Sequence, residues 1–181
     1  MANTEHQENL DSIDKLSVLS YRLGWLVLAF AFAWAAYSGI YQHAIRQPLW
    51  LLAAACSLLA HNLHIYSKSI RYLVQACGWA ALWLSLLFYL WHWPLLASLA
   101  MGAFYVVVSA LVYKESFCFD LGLLRWLPTV LLADWLIYLS PWSQLRLPLL
   151  CFISIGCVII AYQKLKQPLH FDIGKRSNYQ L

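Results

Sequence analysis

Ser57, His61, His64, Lys68 and Arg71 follow one another at intervals of 4, 3, 4 and 3 residues, the spacing that lines side chains along one face of a helix. Two histidines at i and i+3 can share a metal ion, provided that a third and fourth ligand of matching type converge on it. Glu115, Cys118, His170 and Asp172 are the residues that could supply them, and a haem is the other group such histidines would hold. The same stripe suits a polar small-molecule site. It also suits a plainer arrangement, in which the histidines bond to neighbouring helices at a membrane interface while Lys68 and Arg71 meet lipid phosphates.

Asp134 is the one acidic residue well inside a long apolar block, roughly 9 Å from its outer end at helical rise. A carboxylate at that depth is either held by a structural partner or used to move a proton or solute. Arg46, Arg146, His43, His92 and Tyr138 are its candidate partners. The segment KESFCF places Lys114 and Glu115 four and three residues before Cys118. A neighbouring ammonium can favour the thiolate, although a half-buried Cys is more often an inert small hydrophobe. No GxSxG, HExxH or phosphate-binding glycine loop occurs, so the sequence gives enzyme chemistry little direct support and requires no cofactor.

The elements that must position these residues follow from composition. Of 181 residues, 62% are hydrophobic and 11% charged, against roughly 45–50% and 25% in a soluble domain. The apolar residues come in blocks of about 17–22, enough to cross a hydrocarbon core. The expected fold is all-α, a polytopic membrane protein built as a bundle of six transmembrane helices. Its spans run over about 23–40, 48–65, 73–91, 94–113, 121–139 and 147–162, inside a transmembrane domain of residues 21–163. Polar tails, 1–20 and 164–181, flank it. The first lacks the basic start and short apolar core of a signal peptide and is expected to be partly disordered. The second is either disordered or folded back across the mouth of the bundle, near Lys114 and Lys68.

Charge supplies an independent count. With six spans, ten of the twelve Lys and Arg residues fall on one side and only Arg46 and Arg146 on the other. Basic residues concentrate on the cytoplasmic side of short loops, so both termini are expected in the cytoplasm and the protein in the bacterial inner membrane. Trp50, Trp91, Trp93 and Trp142 mark the outer interface, where indoles prefer the headgroup level. Nucleic-acid binding is disfavoured, because the formal charge is only +4 and the basic residues lie at helix ends rather than in a block.

Three segments, HIYSKSIR (64–71), KESFCF (114–119) and QPLHFDIGKRS (167–177), together resemble a family of bacterial integral membrane proteins of unknown function. The tail departs from the family pattern, which has prolines before the Asp and an acidic residue after the Gly. Here those places hold Leu169-His170-Phe171 and Lys175. The resemblance implies no activity or cofactor, but it places all three segments on one membrane face and carries His64, Tyr66, Lys68, Arg71, Lys114, Glu115, Cys118, Asp172 and Gly174 as candidates.

Three functions compete. The first is a noncatalytic membrane component whose cytoplasmic face binds a partner membrane protein, an anionic lipid headgroup or a small anion. The second is a small transporter that uses Asp134 and the His61/His64 stripe. The third is a metal- or haem-binding redox protein.

Overall fold

The computed structural model describes residues 10–40, 46–63, 67–141 and 145–173. Expectations for the first nine residues, for His43, His64, Tyr66 and Trp142, and for Gly174 onward lie outside them. The described residues form six α-helices joined by short connections. They are α1 (Ser12–Ile40), α2 (Arg46–His61), α3 (Lys68–Trp91), α4 (Pro94–Cys118), α5 (Leu127–Tyr138) and α6 (Arg146–Lys166), followed by a single turn, α7 (His170–Ile173). A 3₁₀ segment, Gly122–Trp126, leads into α5. Four helices, α1, α3, α4 and α6, are long and apolar enough to cross a membrane, and α2 contributes a shorter apolar stretch, Leu49–His61.

Local chemistry sets the helix boundaries. Asp11 and Asp14 cap the start of α1 reciprocally, each accepting the other's backbone N–H at 2.7 and 3.1 Å, so two amides without intrahelical partners are satisfied. Pro94 and Pro128 occupy the first turns of α4 and α5, where proline gives up only an amide that would have no partner. Between α3 and α4, His92 turns the chain in the left-handed region, φ 55°. Helix α4 continues past the apolar run to Cys118 and stops where Asp120 adopts φ 52°, with the Leu121 amide reaching back to the Ser116 carbonyl at 2.9 Å. Pro168 forces Gln167 into an extended conformation and ends α6.

Helices adjacent in sequence are adjacent in space, and α6 closes the ring against α1. Helix α4 lies towards the middle: Phe104 meets Phe32 of α1 at a ring separation of 5.8 Å, and α4 also contacts α2 and α6. Call the end of the bundle where α1 begins and α6 finishes the near end. Helices α1, α3 and α5 run from near to far, and α2, α4 and α6 return. Large apolar side chains such as Leu26, Phe30, Trp79, Trp83 and Leu136 face outward, as expected where the solvent is hydrocarbon.

Small residues let the helices approach. A Cβ built on Gly78 of α3 would fall 2.6 Å from the Ala60 Cβ of α2, and one on Gly156 of α6 would fall 2.7 Å from a methyl of Leu127. Dispersion and close packing hold helices together where burial gives no hydrophobic gain, so these contacts carry cohesion. Gly78→Ala should therefore lower the Tm of the detergent-solubilised protein, by about 1–3 kcal/mol of overpacking. Adding Ala60→Gly, which moves the methyl group to the other helix, should restore most of the loss. Gly122→Ala, with nothing within 4 Å of the new methyl group, should leave the Tm unchanged.

Candidate functional site

Charged side chains gather inside the near end. Tyr21 and Arg22 come from α1, Lys114 and Glu115 from the last turns of α4, Lys164 from the last turn of α6, and Asp172 from α7. Lys164 Nζ stands 2.5 Å from Asp172 Oδ1 and 2.9 Å from Glu115 Oε2. The second contact lies off the line of a good hydrogen bond, so it acts chiefly as an ion pair. The Tyr21 hydroxyl donates to Glu115 Oε1 at 2.7 Å, and Lys114 Nζ is 3.5 Å from the same oxygen. Arg22 donates from Nε and Nη2 to Asp172 Oδ2 at 2.8 and 2.6 Å, and from Nη2 to the Pro168 carbonyl at 3.1 Å.

Three cations thus face two carboxylates. Arg22, Glu115, Lys164 and Asp172 are buried, whereas the Lys114 side chain keeps 25% of its surface exposed. Taking such groups out of water is costly unless each finds a partner. Aromatic faces complete the enclosure: Lys164 Nζ is 5.4 Å from the ring centres of both Tyr21 and Phe119, and Lys114 Nζ is 5.5 Å from that of Tyr21. The arrangement clamps the turn after Pro168 onto the bundle. Among the described residues of the cluster it leaves the Lys114 ammonium partly exposed at the rim, beside the exposed thiol of Cys118.

A second cluster lies towards the far end. Asp134 of α5 is fully buried and accepts from Arg146 Nε at 3.1 Å, Arg146 Nη2 at 2.8 Å and the Tyr105 hydroxyl at 2.5 Å. The guanidinium also lies 4.8 Å from the Tyr138 ring centre. Of the partners weighed for this carboxylate, Arg146 bonds to it and Tyr138 covers its arginine. Both carboxylate oxygens are engaged, one of them twice.

Among the described candidates, the structure brings Lys114, Glu115 and Asp172 together, with Cys118 at their rim, and leaves His61, Lys68 and Arg71 outside the network. The chain folds back after α6, but Asp172 pairs with Arg22 and Lys164 rather than with Lys114 or Lys68. His170, on the same turn, stacks on Phe171. The histidine stripe is not one helical face, because α2 ends at His61 and α3 starts afresh at Lys68. The chain reaches the near end there and must reverse. His61 is exposed, edge-on to Trp79 at 6.4 Å, while Lys68 and Arg71 flank the Tyr72 ring. Among the described residues no three His, Cys, Asp or Glu side chains are grouped to hold a metal ion, and Glu115 and Asp172 already neutralise ammonium and guanidinium groups.

Tyr21, Arg22, Lys164 and Tyr105 are the members that sequence reasoning overlooked as site residues. Arg22 and Lys164 read as topological charges because basic residues at helix ends usually extend to the interface. One signal was present: Arg22 lies eleven residues into α1, flanked by the large apolar side chains of Tyr21 and Leu23.

No solved structure matches the chain. An uncharacterized protein of Haemophilus influenzae is 34% identical over 182 residues, covering the whole of both chains. A family model described as "Uncharacterized integral membrane protein (DUF2301)" matches residues 40–181, and that match, which takes in α2 to α7 and with them all of both clusters except Tyr21 and Arg22, places this chain in that family of integral membrane proteins.

Proposed function

We propose that this is a noncatalytic, six-span component of the bacterial inner membrane, with both termini in the cytoplasm and a binding surface at the near end. Helix direction supports the six crossings. Helices α1 and α3 both run from near to far, so the chain between them must return through α2. Helices α4 and α6 both run from far to near, so the 3₁₀ segment and α5 must climb between them. Twelve α-helical residues and five 3₁₀ residues rise about 28 Å, close to the roughly 30 Å of a hydrocarbon core. The domain division follows, with residues 21–163 in the membrane and the flanking tails outside it.

The observation that carries the binding reading is the buried network at the near end. It joins two of the segments that resemble the family, through Lys114, Glu115 and Asp172, to Arg22 and Lys164. Among the described residues, three positive charges stand against two negative ones, with Lys114 at the rim next to exposed Cys118 and Phe117. That combination suits an acidic segment of a partner membrane protein. The transporter reading has less support, because Asp134 is bound on both oxygens by a fixed arginine and a tyrosine, whereas a proton carrier needs a carboxylate that can exchange partners.

Three outcomes test these statements. In cells whose own exposed cysteines are replaced, Gln144→Cys should react with an impermeant maleimide from outside and Ser177→Cys only after permeabilisation; reaction of both from one side would refute six spans. A photoreactive side chain at position 118 should yield a protein adduct in intact cells that Lys114→Gln reduces at least several-fold. An adduct indifferent to Lys114 would remove the binding reading. Proteoliposomes should show no proton flux that Asp134→Asn abolishes; flux that depends on Asp134 would restore the transporter.

A further inference from the structure

A groove of about 250 Å³ opens on the outer flank of the bundle between α2 and α3, lined among others by Ser57, His61, Asn62, Gln75, Gly78 and Trp79. It shares no residue with the buried ion network. Its polar groups divide into two kinds. Ser57 and Asn62 bond to their own helix, donating to the Ala53 and Leu58 carbonyls at 2.9 and 2.8 Å. His61 and Gln75 make no hydrogen bond among the described residues, and His61 only meets the edge of the Trp79 ring.

Helix α3 continues the groove towards the near end. Lys68, Arg71, Gln75, Gly78 and Leu82 recur at intervals of 3, 4, 3 and 4 and so share one helix face. The last three line the groove. Arg71 lies one turn, about 6 Å, nearer the helix start than Gln75, and Lys68 forms part of the first turn. From the helix start inward, the face therefore passes from two cations to an amide and an imidazole, and then to a glycine-floored apolar slot formed with Ala60, Leu58 and Leu82. Trp79 forms one wall.

We propose that this groove is a binding site for an anionic phospholipid. The phosphate sits against Lys68 and Arg71, Gln75 and His61 donate N–H to the phosphate or ester oxygens, and one acyl chain lies along Gly78 and Leu82 beside Trp79. A position on the lateral face of an integral membrane protein favours lipid over a soluble anion, because a free phosphate has no use for the apolar slot. Unmatched donors at membrane depth are costly, and a lipid headgroup supplies acceptors at that level. Basic residues at helix ends attract anionic headgroups. The site rests on the proposed crossing of α2 and α3, but not on which face is cytoplasmic.

Native mass spectrometry of the detergent-solubilised full chain tests the site, using phosphatidylglycerol and phosphatidylethanolamine of identical acyl chains. Phosphatidylglycerol should be retained roughly tenfold more. The double variant Lys68→Gln/Arg71→Gln should abolish that preference, and Ser57→Phe, which fills the slot, should reduce retention of both lipids. Lys166→Gln removes a cation of the same membrane side outside the groove and should change nothing. Equal retention of the two lipids, a preference that survives the double variant, or displacement of phosphatidylglycerol by millimolar inorganic phosphate would each overturn the proposal. Because binding in detergent does not depend on sidedness, the site and the orientation can fail separately.

Discussion

Helix α6 carries a buried cation at each end, Arg146 and Lys164, and both are locked to carboxylates on other elements. Arg146 opens the helix and holds Asp134 of α5 at 2.8 Å; Lys164, in its last turn, is 2.9 Å from Glu115 of α4 and 2.5 Å from Asp172. The eighteen residue-to-residue steps from one to the other rise about 27 Å, close to the thickness of a hydrocarbon core. In lipid, apolar helix faces gain little by meeting one another, so packing alone leaves the sliding of one helix along another weakly specified. A pin at each end of α6 removes that freedom, and because α1, α4 and α5 all touch α6, their registers are set with it.

The chemistry of the two pins differs. Asp134 lies one turn before the end of α5 and Arg146 starts α6, so each charge sits at the end of its own helix where the macrodipole disfavours it. Neither is at ease alone, and each offsets the other. The bidentate guanidinium and the Tyr105 hydroxyl consume the hydrogen-bonding directions that would otherwise admit water. At the near end, Lys164 stands at the favourable end of its helix and is shared between two carboxylates, one of which, Asp172, comes from a single turn that could not fold by itself. That pin therefore does more than fix register. It holds a short terminal segment against the mouth of the bundle.

Much of this was legible in the sequence, and the parts that were not have a common cause. Apolar block length and the ten-to-two bias of Lys and Arg gave the helical elements and the expected direction of each. Asp134 stood out because a lone acid in an apolar run demands a partner, and Arg146 was among the few within reach. Glu115 and Asp172 were named from short motifs, but their partners were not, since whether a helix-end lysine turns outward to solvent or inward to a carboxylate depends on the neighbouring helix. Tyr105 was hidden for a related reason: a tyrosine among valines and alanines reads as packing until its hydroxyl is seen to meet an acid. The Ser57 to Arg71 stripe misled in the other direction. Helical spacing was carried through residues 62–67, where no proline or glycine marks a break, but where a chain that has crossed the bundle has to turn back.

That turn has its own consequence for how the near end is organised. Had α2 run on through Arg71, His61 and the two cations would have projected as one rod beyond the bundle. Because the chain reverses, Lys68 and Arg71 instead open α3, at the same end as His61 but on a different helix. Gly78 against Ala60 lets those two helices approach closely at the seam's floor, while the bulk of Trp79 stands at its outer edge. Ser57 and His61 thus line one wall of a groove, and Gln75, Gly78 and Leu82 line the other. Cations buried in the bundle end up paired with carboxylates.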